Sequence, residues 1–477
     1  MRVEILHPDT LHEECGVFGI LDHPQAVGNT ALGLHALQHR GQEAAGIAAV
    51  DGAGFTLLKA RGLVSEVYNA KTQHTVQGTA AIGHVRYSTA GGNTEANIQP
   101  FMVHTQLGQV ALAHNGNLTN ADALRHTLMA EGQSFQSTSD TEVIVHLLAQ
   151  SQKPTVQERL VDALGYLKGA YSLVVLTADT LMGVRDPAGV RPLVIGMLDG
   201  SYVLASETCA LDMLGADFVR DVKPGELVTI TEAGLTSQQL PNPEPNRFCV
   251  FEYIYFMRPN SRFGGKYVSH VRESIGAELF RESHVPADVV IPVPDSGIHA
   301  AVGYAETAGI PFKQGLVRSH YVGRTFIEPT SDTRHAGVRL KLSVNAANVM
   351  GRRVVLIDDS IVRGTTMPKI VDMLRRAGAL EVHVRISSPP FAHPCFYGID
   401  TPDKSQLTAA NHSLEEIRAF TGADSLAYIS LDGLYKAVAA SARNTPKREF
   451  CDACFSGEYP IELTDLNKEN QNIKKAS

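Results

Sequence analysis

A cluster of prolines near the middle of the chain limits its fold more than any other feature. Pro241, Pro243 and Pro245 fall within five consecutive residues. Because proline fixes φ and lacks a backbone N–H, this stretch can form neither a regular helix nor a central strand. The chain has 477 residues, which at about 100–200 residues per domain predicts two or three domains. We therefore expect a domain boundary after Pro245, a second domain at residues 246–464, and a polar tail at residues 465–477.

The pattern of apolar residues differs on the two sides of this boundary. On the N-terminal side short apolar runs dominate, and two of them flank the hairpin signal Asp51–Gly54. Ser139–Glu142 has the sequence of a capping box at the start of a helix. On the C-terminal side, helical patterns alternate with apolar strands, among them Val289–Val293 and Phe312–Val317. We predict an α+β first half with two sheets, and an α/β second half with helices on the faces of a parallel sheet.

Composition and charge exclude several classes of protein. Lys and Arg number 42 and Asp and Glu number 50, so the formal charge is −8. This balance argues against nucleic acid as the main partner, because phosphate binding needs a basic face. No apolar run approaches the ~20 residues of a membrane span, and the N-terminus lacks the pattern of a secretory signal. We expect a cytoplasmic protein without a membrane partner, in which six cysteines are catalytic, metal-binding or buried.

The segment Val354–Thr366 carries the most informative chemical pattern. Its apolar strand ends in two adjacent carboxylates, Asp358 and Asp359, and the loop Gly364–Thr366 then leads into a helical pattern. Backbone N–H groups at a helix start, together with two hydroxyls, can cradle an anion. Two carboxylates at the end of a strand can hold hydroxyls or a Mg²⁺-bound diphosphate. The alternative is a strand-to-helix turn with capping residues, which would need only one residue of this set.

This string resembles the signature with which type I phosphoribosyltransferases bind phosphoribosyl diphosphate (PRPP). The resemblance implies that Asp358 and Asp359 meet the ribose hydroxyls or a metal ion. It assigns the 5′-phosphate of PRPP to Gly364, Thr365 and Thr366.

Two further segments resemble parts of the same site. Val293–Gly297 is similar to the family's pyrophosphate loop and would place Ser296 next to the Mg²⁺ ion, although Ser296 could instead be a helix N-cap. Tyr321–Ser343 is polar and basic and resembles the mobile loop that closes over PRPP, with Lys341 as a binding residue. Its basic residues could equally form a solvated surface.

Four motifs of the first half resemble the N-terminal-nucleophile (Ntn) glutamine amidotransferases of class II. They are Cys15–Ile20, Gly83–Thr89, His114–Asn117 and Ser137–Glu142. The resemblance implies a four-layer αββα domain and a propeptide, residues 1–14, whose removal makes Cys15 the first residue. The freed α-amine, with an ordinary pKa of ~7.7–8, can then act as the base that activates the thiol. Taken alone, Cys15 could be a buried small apolar residue.

The chemistry of a glutamine substrate indicates a role for each remaining polar residue of these motifs. Arg86 can pair the substrate carboxylate in a bidentate fork, and Asp140 can pair its ammonium group. The Asn115 side chain and the Gly116 N–H suit the oxyanion of a tetrahedral intermediate. Each has an ordinary alternative: a surface ion pair for Arg86, helix-dipole complementation for Asp140, and a tight turn for Asn115-Gly116.

Together the two halves resemble the glutamine phosphoribosylpyrophosphate amidotransferases over roughly residues 12–460. That family implies a glycosyltransferase reaction: glutamine, PRPP and water give 5-phosphoribosylamine, glutamate and diphosphate, the first committed step of purine synthesis. It also implies Mg²⁺, a closed apolar passage for ammonia, feedback inhibition by purine nucleotides and a homotetramer. Rival interpretations fit less well. A nucleobase phosphoribosyltransferase leaves the first half unexplained, a PRPP-sensing regulator needs a basic DNA-binding segment, and glucosamine-6-phosphate synthase should lack Asp358–Thr366.

Five cysteines besides Cys15 remain. Cys451 and Cys454 form a C-x-x-C pair, a spacing that lets two thiolates reach one metal. The sequences around Cys249 and Cys395 resemble the subgroup of this family that carries a [4Fe–4S] cluster on four such cysteines. Zinc would fit four thiolates as well, so iron rests on the resemblance. Cys209 is expected to be a buried filler.

Overall fold

The computed structural model describes residues 12–13, 15–87, 94–318, 342–439, 443 and 448–466. Lys341 and most of the predicted mobile loop lie outside these residues, as do most of the predicted propeptide and polar tail. Within the described part, no helix combines the length and the apolar character that crossing a membrane requires.

The first half consists of two antiparallel sheets flanked by helices. The strands are β1 His12–Glu13, β2 Gly16–Ile20, β3 Ala44–Asp51, β4 Gly54–Arg61, β5 Ala80–Arg86, β6 Phe101–Thr105, β7 Gly108–Leu118, β8 Gly169–Leu176, β9 Leu181–Arg185, β10 Val194–Leu198, β11 Ser201–Ala205, β12 Asp217–Asp221, β13 Glu226–Thr231 and β14 Gly234–Gln239. The helices are α1 Ala26–Ala36, α2 Val64–Val67, α3 Ala121–Ala130, α4 Thr141–Gln150, α5 Val156–Leu164 and α6 Thr208–Leu214.

These elements stack in four layers. One sheet has the order β12-β10-β11-β2-β5-β3-β4 and the other has the order β14-β13-β9-β8-β7-β6. Their facing sides bury apolar residues from both sheets, such as Val17 and Val174. Leu34 of α1 covers the outer face of the first sheet, and Leu148 of α4 covers that of the second. The predicted αββα arrangement is therefore present, and it follows from strands whose two faces are both apolar.

The second half is built around a parallel sheet. Its strands are β15 Phe248–Cys249, β16 Arg262–Phe263, β17 Lys266–Tyr267, β18 Val289–Pro292, β19 Leu316–Arg318, β20 Leu342–Val344, β21 Arg353–Asp358, β22 Glu381–Ile386, β23 Ile399–Asp400, β24 Ser425–Tyr428 and β25 Phe450–Cys451. Its helices are α7 Val268–Ser283, α8 Ile298–Ala308, α9 Met367–Arg376, α10 Thr408–Asn411, α11 Leu414–Thr421, α12 Leu431–Ala437 and α13 Ala453–Ser456.

Helices cover both faces of this sheet, as the alternating pattern predicted. The strand order is β18-β21-β22-β24, all parallel. On one face Val355 and Ile357 pack with Tyr304 of α8, and on the other Leu356 packs with Ile370 of α9. Because adjacent parallel strands end at the same edge, the loops after β18 and β21 meet there.

Two local predictions are wrong. Phe312–Val317 is not one strand: Phe312 makes a single bridge to Val290, and the chain turns at Gly315 before β19 pairs with β20. A Cβ on Gly315 would lie 2.2 Å from Ile291, which explains why this turn needs glycine. At Ser139–Glu142 no capping box forms, because the Glu142 carboxylate instead accepts hydrogen bonds from the backbone N–H groups of residues 136 and 137 at 2.8 and 2.7 Å.

Helices α7 and α8 pack closely enough that a single methyl group should disturb them. A Cβ on Gly303 would lie 1.9 Å from the Glu273 carbonyl oxygen, which is backbone and cannot swing away. We expect Gly303→Ala to lower the free energy of unfolding by roughly 1–3 kcal/mol through overpacking. Gly28→Ala in α1 is the matched control, since nothing lies within 4 Å of its added Cβ. Denaturant unfolding followed by circular dichroism measures both, and equal midpoints would contradict the close packing.

Candidate active sites

The predicted nucleophile lies at the start of the first long strand of the αββα domain. Gly16 pairs with Val85 across β2 and β5, so the same register brings Cys15 opposite Arg86. Cys15 is 6% exposed, and its backbone N–H donates to the Arg40 carbonyl at 3.2 Å. Its φ of +74° is in the left-handed region, which is uncommon for residues other than glycine and recurs at functional sites.

Arg86 ends strand β5 and is buried, so it is not the surface residue of the alternative interpretation. Two residues before it, the His84 Nε2 lies 3.1 Å from the His114 carbonyl oxygen and links β5 to β7 of the other sheet. Burial, with a further contribution from the Arg86 charge, lowers the pKa of His84 to about 3. His84 is therefore neutral at pH 7 and adds no positive charge beside the Arg86 guanidinium.

Asn115 and Gly116 lie inside strand β7, where they pair with Ser172 and Tyr171 of β8, so they do not form a turn. The Asn115 side chain is fully buried, and within the described residues neither its nitrogen nor its oxygen has a hydrogen-bond partner. An unpaired buried amide costs about 1–3 kcal/mol, so its persistence calls for an explanation. A ligand that accepts from the amide supplies one. Gly116 has φ +144°, and a Cβ there would lie 2.1 Å from the Ala170 carbonyl oxygen.

Asp140 lies at the N-terminus of α4 but does not cap that helix with its side chain. Its carboxylate accepts a hydrogen bond from the Leu118 N–H at 3.0 Å and lies 3.8 Å from the His114 Nδ1. These contacts attach the carboxylate to the end of β7, next to Asn115. The structure thus brings the five predicted glutamine-site residues to one end of the domain.

The second candidate site lies at the carboxyl ends of β18 and β21. Asp358 ends β21, and both Asp358 and Asp359 are less than 10% exposed. The loop after β18 packs against the end of β21, because a Cβ on Gly297 would lie 2.4 Å from the carbonyl oxygen of Ile357, the residue before Asp358. Gly297, not Ser296, is the N-cap of α8, so Ser296 lies in the loop without that capping role.

The predicted phosphate loop continues from this carboxylate pair. The Asp359 N–H donates to Asp358 Oδ1 at 2.9 Å, which fixes the first carboxylate at the strand end. Gly364 has φ +69°, and a Cβ there would lie 2.9 Å from Phe420, so glycine is required. Thr366 is the N-cap of α9 and Thr365 precedes it, so this loop leads directly into the start of the helix.

Sequence reasoning missed three residues of this region. Burial and the nearby charges of Asp359 and Asp358 raise the pKa of Tyr255. Burial lowers the pKa of Arg272 to about 10, against the attraction of Asp359. Arg318 pairs with Asp295 of the candidate pyrophosphate loop at 2.6 Å. Nothing in the sequence marks Tyr255, Arg272 or Arg318 as neighbours of the carboxylates.

Four cysteines converge on one small enclosed cavity between the two halves. Cys249, Cys395, Cys451 and Cys454 line it together with Arg191 and Tyr397. Strands β15 and β25 pair in parallel and place Cys249 beside Cys451. Burial raises the pKa of the Cys451 thiol to about 12, and the Cys395 thiol acts in the same direction.

A second group of possible ligands, His39, Glu207 and Cys209, is an ion-pair network. Their ligand atoms lie within 4.8 Å of one another. The Glu207 carboxylate, however, already accepts from His39 at 2.7 Å and from Arg40 at 2.5 Å. Burial alone would raise the pKa of Glu207, but Arg40 and His39 outweigh it and hold that pKa well below its ordinary value. Cys209 is buried, as expected of a filler.

Comparison with known proteins covers both halves. Residues 84–213 match the glutamine amidotransferase domain family, and residues 272–387 match the phosphoribosyl transferase domain family. The amidophosphoribosyltransferase of Rhizobium etli is 51% identical over 98% of this chain and 96% of its own. That of Bacillus subtilis is 50% identical over 95% of each chain. A solved structure of the glutamine PRPP amidotransferase from B. subtilis, complexed with ADP and GMP, has 49% identity and a TM-score of 0.89, covering 94% of this chain and 98% of that one.

A glutamine amidotransferase domain followed by a phosphoribosyltransferase domain defines a glutamine-dependent pentosyltransferase. Identity of about 50% along nearly the whole length of its relatives identifies the family more narrowly than either domain match does. The chain belongs to the amidophosphoribosyltransferase family. This membership sets aside the three rival interpretations: a nucleobase phosphoribosyltransferase, a PRPP-sensing regulator and glucosamine-6-phosphate synthase.

The unpaired amide of Asn115 generates a prediction that separates activity from stability. We expect Asn115→Ala to lower kcat for glutamine hydrolysis by about 10²–10³-fold, as removal of an oxyanion donor does. The free energy of unfolding should fall little, because the substitution also removes a buried polar group that has no partner. Steady-state kinetics and denaturant unfolding test this pair of expectations. A loss of stability with unchanged kcat would show that Asn115 has only a structural role.

Proposed function

We propose that this chain releases ammonia from glutamine at Cys15 and uses it to displace diphosphate from PRPP at Asp358–Thr366. The products are 5-phosphoribosylamine, glutamate and diphosphate, the first committed step of purine synthesis. The observation that carries the proposal is the presence in one chain of two sites: a buried unpaired amide inside β7 of the first half, and a buried carboxylate pair at the end of a parallel strand in the second half. Membership of the amidophosphoribosyltransferase family supports both.

In the glutamine half, the Cys15 thiolate would attack the side-chain amide carbon of glutamine. Removal of residues 1–14 would free the α-amine of Cys15, which takes the thiol proton and later passes it to the leaving ammonia. The Asn115 side chain and the Gly116 N–H would donate to the oxyanion, and the register of β7 supports this pairing. Arg86 would pair the substrate carboxylate and Asp140 its ammonium group. Water then hydrolyses the thioester, giving glutamate and restoring the thiol.

In the PRPP half, the chain's task is to hold the sugar phosphate and shield its C1. Gly364, Thr365 and Thr366 would hold the 5′-phosphate at the start of α9, and Asp358 and Asp359 the ribose hydroxyls. Ammonia attacks C1 as the bond to diphosphate breaks. The predicted loop with Lys341 would close over the site and exclude water.

The donors at this site fit one Mg²⁺ ion per subunit. Ser296, Asp358 and Asp359 offer the hard oxygen ligands that Mg²⁺ prefers, and the two carboxylates are adjacent and buried. When bound, the ion would neutralise charge that develops on the departing diphosphate.

The four cysteines support a [4Fe–4S] cluster, one per subunit, more than a zinc ion. A tetrahedral zinc site with Zn–S bonds of about 2.3 Å needs sulfur atoms about 3.8 Å apart. No three of these four described cysteines have sulfur atoms within 4.8 Å of one another. They nevertheless line one cavity, as the ligands of a larger group would. The cluster would be structural and would attach the C-terminal segment to the start of the second half.

The family resemblance also supports a domain organisation, feedback inhibitors and an oligomeric state for this chain. We propose a propeptide at residues 1–14, a glutaminase domain at 15–245 and a phosphoribosyltransferase domain at 246–464. Purine nucleotides would act as feedback inhibitors, and the B. subtilis relative was solved with ADP and GMP. A homotetramer is the expected assembly.

Two variants test whether the sites are separable. We expect Cys15→Ala to abolish product formation from glutamine while leaving synthesis from an added ammonium salt, because the PRPP site needs only ammonia. Asp358→Asn combined with Asp359→Asn should abolish both activities. Formation of 5-phosphoribosylamine, followed with each nitrogen source, gives the answer. Loss of the ammonium-dependent reaction in folded Cys15→Ala protein would contradict two separate sites.

Metal analysis of protein purified anaerobically tests the cluster. We expect about four iron and four sulfide per chain, which is the composition of a [4Fe–4S] cluster. Cys454→Ser should lose this iron, whereas Cys209→Ser, the matched control, should keep it because Cys209 lies outside the cavity. Stoichiometric zinc without sulfide would overturn the assignment.

A further inference from the structure

A chain of buried charges connects the two halves beneath the glutamine site. Arg40, Arg191, Glu207 and Glu252 are all fully buried. Arg40 pairs with Glu207 at 2.5 Å through Nε and with Glu252 at 2.6 Å through Nη2. Arg191 pairs with the other oxygen of Glu252 at 3.1 Å. One carboxylate of the second half therefore bridges two arginines of the first.

The first arginine lies directly under the nucleophile. The Arg40 carbonyl accepts the hydrogen bond from the Cys15 N–H. The next residue, Gly41, packs so closely on strand β5 that its Cβ would lie 2.6 Å from the Arg86 nitrogen. A displacement of Arg40 is thus transmitted to both Cys15 and Arg86.

The second arginine lies behind the predicted oxyanion donor. Arg191 donates through Nε to the Tyr397 carbonyl at 3.0 Å. The following residue, Gly398, fits between Arg191 and Gly116: a Cβ there would lie 2.9 Å from the Arg191 Nη2 and 3.1 Å from the Gly116 Cα. Asn117, next to Gly116, also donates to the Phe396 carbonyl at 2.9 Å. The position of Gly116 therefore depends on the segment that Arg191 holds.

Glu252 itself is firmly placed. It begins a π-helical segment, Glu252–Phe256, near the start of the second half. The buried Arg272 side chain of α7 donates to the carbonyls of Tyr253, Tyr255 and Met257 at 2.7–2.8 Å and fixes this segment. A fully desolvated carboxylate shared by two guanidinium groups tolerates little change in geometry, because breaking one pair leaves a buried charge uncompensated.

We propose that Glu252 is a positioning residue for the glutamine reaction, supplied by the other half of the chain. By holding Arg40 and Arg191 at a fixed separation, it holds the Cys15 thiol and the Gly116 N–H on opposite sides of the substrate carbonyl. This inference rests on the proposed function and adds to it that the glutamine site is incomplete without the second half. No contact of Glu252 with substrate is involved.

Glu252→Gln keeps the shape but removes the charge that both arginines share. We expect kcat for glutamine hydrolysis to fall roughly 10–100-fold, as small misplacements of reacting groups do. The KM for glutamine should change less than threefold, because Arg86 and Asp140 remain, and synthesis from ammonium should stay within about twofold. Glu278→Gln is the matched control: Glu278 is also a buried partner of two cations, Arg281 and Lys436, but lies away from the glutamine site.

Further variants distinguish positioning from a general structural role. Arg191→Gln should lower kcat by a similar factor, and the double variant with Glu252→Gln should be no worse than either single one, because the groups act as a unit. Should Glu252→Gln fail to fold, Arg191→Lys tests the same claim, since lysine keeps the charge near Glu252 but lacks the Nε donor to Tyr397.

Three outcomes would overturn the proposal. They are an unchanged kcat for glutamine in Glu252→Gln, an equal loss of the glutamine and ammonium activities, and strictly additive losses in the double variant. Unmutated protein and Cys15→Ala are assayed alongside. If the unmutated protein hydrolyses no glutamine, or Cys15→Ala hydrolyses it normally, the proposed function fails instead, and the two failures are told apart.

Discussion

A buried apolar cluster that includes residues of both halves holds the two sites in their relative positions, and in the second half its aromatic side chains pack against one another. The Phe251 ring lies 5.7 Å from that of Phe391 and 5.9 Å from that of Phe455. The same buried cluster continues to Leu34 of α1 and Leu211 of α6 in the first half. Because each buried aromatic removes roughly 150–250 Å² from water, the halves cannot separate without a large loss of apolar burial. This cluster therefore joins the two halves, and each half also has buried apolar clusters of its own.

The sites occupy positions that the fold would otherwise avoid. Cys15 has a left-handed backbone conformation, Asn115 buries an amide without a partner, and Asp358 and Asp359 bury two carboxylates side by side. Each feature is unfavourable by itself, and for the Asn115 amide a bound ligand would supply the hydrogen-bond partner that the described residues do not. The strands that flank each site are held in place by the buried core. Their rigidity keeps these unfavourable conformations and buried polar groups in place.

Local patterns predicted a large part of this structure, and long-range pairing explains most of the rest. The strand at Val289–Val293 and the hairpin at Asp51–Gly54 have the predicted positions, because apolar spacing and turn residues act over a few neighbours. The candidate site residues were found for the same reason, since each belongs to a short motif. The role proposed for Glu252 could not be predicted, because its partner Arg40 is 212 residues away.

Other errors have equally physical causes. Phe312–Val317 has the apolar run of a strand, but Phe312 makes only a bridge, Gly315 approaches Ile291 closely, and the strand that pairs with β20 begins at Leu316. Glu142 has the spacing of a capping residue, yet its carboxylate is taken by the backbone of the preceding loop. In the first case a tertiary contact overrides the local preference, and in the second a competing local hydrogen bond does.

The short pairing of β1 with β23 has a consequence for the order of events in the cell. His12 and Glu13 pair antiparallel with Asp400 and Ile399, immediately after the Gly398 that packs on Gly116. During synthesis on the ribosome, the first of these segments emerges long before its partner exists. Any maturation step that depends on this pairing must therefore wait until most of the polypeptide has been translated and its later half has docked.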